Sequence, residues 1–118
     1  MDYPAGAAFY VGLSLMKPKP GEEKLVAALM DNLLEFFAEQ PGYERGYVLL
    51  EGDTQGWVGR ITLWESEEKA DHAANTQHVL AVRAEIMHRI EEDSHIERSY
   101  TALDPVLAKK NTVRLWSS

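Results

Sequence analysis

Cysteine is absent from the 118 residues, and with it go disulfides, thiolate nucleophiles and cysteine-based zinc or iron–sulfur sites. That absence suits a reducing, cytoplasmic setting. Basic residues are few: 12 Lys and Arg stand against 19 Asp and Glu, for a net charge of -7. Duplex binding rests on cations that neutralise phosphates, so neither nucleic acid nor an anionic membrane surface is an expected partner. Long apolar runs are missing too. The longest near the N-terminus, residues 7–16, holds Gly12 and Ser14 and falls short of the roughly 20 residues that span a bilayer. No basic segment precedes it, so no signal peptide is expected. Nucleotide-dependent and hydrolytic chemistry lack support, because there is no glycine-rich phosphate loop, serine-elbow sequence or HExxH.

What is present reads as an ordinary globule, 45% hydrophobic and 26% charged, expected to form one domain over 1–118. At this length roughly two-thirds of the unfolded surface can be buried. Phe9, Val11, Leu13 and Leu15 alternate with Tyr10, Gly12, Ser14 and Met16, and both sets are largely apolar, which predicts a strand covered on both faces. Leu25, Leu29, Leu33 and Phe37 recur every four residues, flanked by Val26, Met30 and Leu34, and predict an amphipathic helix closed by Pro41 and Gly42. Strands follow at 47–51 and 57–65, joined by a hairpin turn at 52–56. Ser66 is a good N-cap, with Glu67 and Glu68 favouring the positive end of a second helical stretch that reaches residue 93 and bends near Asn75 and Thr76. A fourth strand is expected at 96–103, and a short fifth at 112–116, in an extension that begins at residue 104.

Two helices and four strands in this order favour a ferredoxin-like α+β sandwich, with both helices on one face of an antiparallel sheet. Strand three carries Trp57, Ile61 and Leu63 on one side and Val58, Thr62 and Trp64 on the other, and the first strand is apolar on both, so the face left uncovered is too apolar for water. A second copy of the chain is the simplest cover, so a homodimer is expected.

The run Lys17, Pro18, Lys19, Pro20, Gly21 follows the first strand, and Gln40 to Tyr43 follows the first helix. Thr62 to Ser66 ends the third strand, and Ala70, Asp71, His72 precede His78 to Arg83. In this order and spacing, over about residues 8–103, these runs resemble the antibiotic-biosynthesis-monooxygenase-like group of dimeric α/β-barrel proteins. The resemblance implies homodimers with facing sheets and a pocket in each subunit between sheet and helices. It also implies one of several activities. Members include cofactor-free oxygenases of quinol or polyketide aromatics, haem-degrading enzymes, and proteins without established activity. The haem-degrading branch uses an Asn, a Trp and an iron-binding His at places where this chain has Val11, Ala73 and Arg83. An arginine stays protonated and offers iron no lone pair, so haem breakdown of that type is not expected.

Arg83 is the polar residue of greatest interest. Helical geometry places it within the arc of Val79, Val82, Ile86, Met87 and Ile90, where a permanent charge needs a partner. It either faces the pocket and stabilises a substrate oxyanion, or it snorkels to the rim or pairs with a carboxylate across the dimer. His78 matches a histidine that recurs in the family and is a candidate general base; as a helix-start residue it serves equally well bonded to a backbone group. His72 lies among Ala70, Ala73 and Ala74, whose small size leaves space for a ligand or allows close packing. Trp64, His72, Asn75, Tyr47, Tyr100 and Val11 are the expected substrate-binding positions. His88, Glu92 and His95 would share a helical face if the helix lasted that far, but no supporting shell of polar residues is visible and no metal site is expected. The reading favoured is a monooxygenase that takes an aromatic, polyketide or quinol-type molecule without metal or flavin: His78 deprotonates a phenol and Arg83 holds the oxyanion while O2 reacts at carbon. The alternatives are a non-catalytic small-molecule-binding or assembly module of the same fold, and an isomerase.

Overall fold

The computed structural model describes residues 6–52 and 56–109. In chain order the elements are β1 (Ala8–Met16), α1 (Glu23–Phe37), β2 (Tyr43–Leu50), β3 (Val58–Trp64), α2 (Glu67–Ala74), α3 (Gln77–Met87) and β4 (Ile96–Leu103). The strands form one antiparallel sheet in the order β2-β3-β1-β4, the ferredoxin-like α+β arrangement. Residues 53–55 of the expected hairpin turn and the whole of the expected fifth strand at 112–116 lie outside the described residues. After β4, Asp104 accepts a hydrogen bond from the Leu107 backbone N–H at 2.9 Å and caps a single helical turn.

The helices pack on one face of the sheet. Alternation gives that face Tyr10, Gly12, Ser14 and Met16 from β1, and it gives Val58, Arg60, Thr62 and Trp64 from β3. Met16, Val58 and Trp64 join Val26, Met30, Leu33 and Phe37 of α1 and Val79 and Ile86 of α3 in the core. The buried stripe of α1 is rotated slightly from the expected one: Leu33 and Phe37 are buried as expected, but Leu25 is 42% exposed and the flanking Val26 and Met30 complete the inward face. Gly42 supplies a positive φ of 87° where the chain turns from α1 into β2, a conformation that costs glycine little.

The second helical stretch is two helices. Asn75 ends α2, where its side chain bonds back to the Asp71 carbonyl at 2.7 Å. Thr76 does the same to Ala73 at 2.8 Å and then opens α3. Polar side chains that compete for backbone carbonyls have turned the expected bend into a break. Helix α3 stops at Met87, six residues early. Lys19 N–H to the Arg89 carbonyl (2.9 Å) and Glu91 N–H to the Lys17 carbonyl (2.8 Å) draw the following segment against the β1–α1 connection, so Ile90 is buried without being helical. His88, Glu92 and His95 therefore share no helical face. No group of three or more His, Asp or Glu among the described residues is placed to hold a metal ion, and no described helix is long and apolar enough to cross a membrane.

At the start of α2, the Ser66 hydroxyl accepts the Lys69 backbone N–H at 3.3 Å. Ser66→Ala should cost about 1 kcal/mol, the usual loss of such a cap, measurable as a small drop in denaturation midpoint. No change in midpoint would show that the cap is immaterial.

Candidate functional site

Helices α2 and α3 stand away from the sheet and leave a half-open cavity of about 410 Å³, within the roughly 300–1,000 Å³ of small-molecule sites. Its floor is the helix-facing side of β1 and β3, with Tyr10, Ser14, Arg60, Thr62 and Trp64. Asp71, Ala74 and Asn75 form one wall, and Arg83 and Glu97 close the other. The floor is open because Gly12 sits at its centre, with no side chain to fill the space over Thr62.

Trp64 is 2% exposed and locked in place. Its indole meets Phe37 edge-on at 5.4 Å and Tyr43 at 5.4 Å, with interplanar angles of 80° and 85°, geometry that suits the aromatic quadrupole. One rigid ring thus lines the cavity. Arg83 reaches across from α3 to β4, its Nη2 3.3 Å from Glu97 Oε2 and 3.4 Å from Oε1. Arg83 therefore lines the cavity and pairs with a carboxylate of its own chain, where a carboxylate across the dimer was the expected partner.

Trp64, Asn75 and Arg83 are brought together, and the other expected site residues are not. His78 lies outside the cavity lining. Its Nε2 is 2.8 Å from Asn32 Oδ1 and its ring stacks on Phe36 at 4.5 Å, so it ties α3 to α1 on an exposed surface. His72 is exposed on α2 and also outside the lining. Val11, Tyr47 and Tyr100 are on the opposite face of the sheet: Val11 pairs with Leu63 and Tyr100, and Tyr47 with Ile61, two residues that alternate with the helix-facing Thr62. The two tyrosines are 53% and 52% exposed there. Of the haem-branch positions Val11, Ala73 and Arg83, only the last lines the cavity.

Arg60 is the residue that the sequence reading passed over. The signal was a lone cation between Val58 and Thr62 in WVGRITLWE, on the side of the strand that alternation gives to Val58, Thr62 and Trp64. Burial first, and the neighbouring Arg83 cation second, lower its pKa to about 10, with Glu97 acting in the opposite direction; it remains charged at neutral pH. On the open side of the sheet a second hollow, of about 330 Å³, is lined by Leu15, Leu49, Leu50, Glu51, Trp57 and Ile96.

The family model described as antibiotic biosynthesis monooxygenase matches residues 10–85, and the chain belongs to that family. Solved structures share its fold. Rv0793 from Mycobacterium tuberculosis is 17% identical with a TM-score of 0.72, over 81% of this chain and 96% of its own. SnoaB, a cofactor-independent oxygenase from Streptomyces nogalater, is 18% identical with a TM-score of 0.71, over 82% and 94%. SO0527 from Shewanella oneidensis is 15% identical with a TM-score of 0.74, over 87% and 99%. No curated protein sequence matches the chain.

Proposed function

We propose that the cavity between β1, β3 and the α2–α3 pair binds a phenolic or quinol-type aromatic and that the protein is a cofactor-independent monooxygenase. The observation that carries this is the joint placement of a rigid indole, Trp64, and a hydrogen-bonded guanidinium–carboxylate pair, Arg83 and Glu97, on one ligand-sized space. Family membership and the shared fold with SnoaB support it.

The chemistry follows from the pair. A bound phenol presents its hydroxyl to Glu97, which takes the proton. The neutralised carboxyl loosens its hold on Arg83, and the guanidinium moves its hydrogen bonds to the new phenolate, so charge is conserved within the site. This gives Glu97 the role expected of His78, which is engaged with Asn32 and Phe36 outside the cavity. The electron-rich phenolate then supplies the electrons for O2. In an anthrone-type substrate the ring carbon bonds to one oxygen, and the outer oxygen takes back the proton held by Glu97 to form a hydroperoxide. The O–O bond breaks as the carbon's second hydrogen leaves as a proton, which yields a carbonyl and one water. The substrate carbon is oxidised and O2 reduced, with no outside reductant.

The open sheet face supports a homodimer. Ile96, Tyr47 and Tyr100 expose apolar surface, and Leu13, Leu15, Ile61 and Leu63 are only partly covered between them. Two such faces packed together would bury well above the roughly 1,000 Å² of a specific interface.

An oxygen electrode tests the activity. Anthrones, naphthols and hydroquinones should each be screened, and at least one should give oxygen uptake above its autoxidation rate, one O2 per product. Tight binding of these aromatics with no uptake would favour the non-catalytic binding module instead.

A further inference from the structure

Arg60 is a buried cation with no carboxylate bonded to it among the described residues. It lies 9% exposed in the middle of β3. Its Nη1 contacts Met30 Sδ at 3.8 Å, and its guanidinium carbon is 5.9 Å from the centre of the Phe37 ring. The ion pairs of the described residues join Lys69, Arg83 and Arg89 to acids, and none involves Arg60. Glu97 acts on it only through space, because that carboxylate's hydrogen bonds go to Arg83. Asp71 lines the cavity from α2 and forms no ion pair with either arginine. A sulfur atom and an aromatic face are weak company for a desolvated charge, which destabilises a fold unless a group of opposite sign joins it.

The guanidinium also lines the cavity, beside Ser14, Thr62 and Trp64. Three cations, Arg60, Arg83 and Arg98, line the cavity against two carboxylates, Asp71 and Glu97, which leaves one positive charge over. The geometry points to Arg60 as the receptor for an ionised carboxylate on the ligand, so that the cavity takes an aromatic hydroxy acid. The ring lies against Trp64, the phenol oxygen meets Arg83, and the carboxylate sits on Arg60. A planar carboxylate matches the fork of a guanidinium with two parallel hydrogen bonds. It carries the single negative charge that the site leaves unanswered, where a phosphate dianion would exceed it. The inference rests on the reading of the cavity as an aromatic site and names the substrate class within it.

Isothermal titration with 3-hydroxy-2-naphthoate, its methyl ester and 2-naphthol tests this directly. The wild-type protein should bind the acid about tenfold to a hundredfold more tightly than the ester, the scale of a charge-assisted hydrogen bond. Arg60→Met should bring the two affinities together, Arg60→Lys should keep part of the preference, and Arg83→Met should weaken both ligands while leaving their ratio intact. Equal affinities in the wild type would overturn the inference, as would a preference that survives in Arg60→Met. The wild-type comparison requires no variant, so it decides the matter even where Arg60→Met fails to fold. Failure of all three aromatics to bind would overturn the aromatic reading of the cavity and this inference with it. Binding of 2-naphthol with oxygen uptake, but no preference for the acid over its ester, would sink the carboxylate subsite alone.

Discussion

Arg83→Met is expected to lower turnover of a phenolic substrate about a hundredfold or more while leaving the melting temperature nearly unchanged. The rate effect is that of losing one donor aimed at a developing oxyanion. Methionine keeps the length and apolar contact of the stem, so packing on α3 survives. Stability changes little because the Arg83–Glu97 pair is partly exposed, with side-chain exposures of 33% and 51%, and pairs of that kind contribute only about 0–1 kcal/mol. Oxygen uptake and thermal denaturation on the same preparation separate the two effects. A large loss of stability with unchanged turnover would make Arg83 a structural ion pair and remove it from the chemistry.

Ile61→Asp is expected to convert a dimer into monomers. Ile61 lies in β3 between Leu13 of β1 and Tyr47 of β2, near the middle of the face that a second copy would cover. Two-fold symmetry places the new carboxylate in the interface twice. At about 3 kcal/mol for each unpaired charge taken from water, the dissociation constant should rise roughly ten-thousandfold. Sedimentation velocity at micromolar concentration reads this as a change from one dimeric boundary to a monomeric one. A wild-type protein that is already monomeric there, or a variant that stays dimeric, would show that the open face is not the interface.

Much of the fold is legible in the sequence because its periodicities are strong. The last strand falls at Ile96–Leu103 as expected, and competition by Asn75 and Thr76 for backbone carbonyls marks the division of the second helical region. The edge strand was harder to read. β2 begins at Tyr43, four residues before the expected start at 47. Glu44 and Arg45 look like loop residues, and the pairing is irregular between Tyr43 and Arg45; exposed charges on an edge strand are a common guard against aggregation.

The site divides along a physical line. Arg83 and Trp64 are legible because a charge within an apolar helical arc and a tryptophan at a strand end each restrict their own surroundings. Tyr47, Tyr100 and Val11 are not, because alternation says which residues share a face without saying which face takes the helices, and here both faces of β1 are apolar. Once the helices are placed, those three fall on the open face and Arg60 on the face that lines the cavity. His78 turns away because Phe36 and Asn32 on α1 offer it a stacking surface and an acceptor, a tertiary contact that no local pattern announces.

A crystal structure of the protein soaked with 3-hydroxy-2-naphthoate tests most directly that the cavity beneath α2 and α3 is the aromatic site. The ring should lie against Trp64 with its phenol oxygen within hydrogen-bonding distance of the Arg83 guanidinium. A ring seated instead in the apolar hollow beside Trp57 and Leu49, or in the cavity with its phenol oxygen turned away from Arg83, would contradict it.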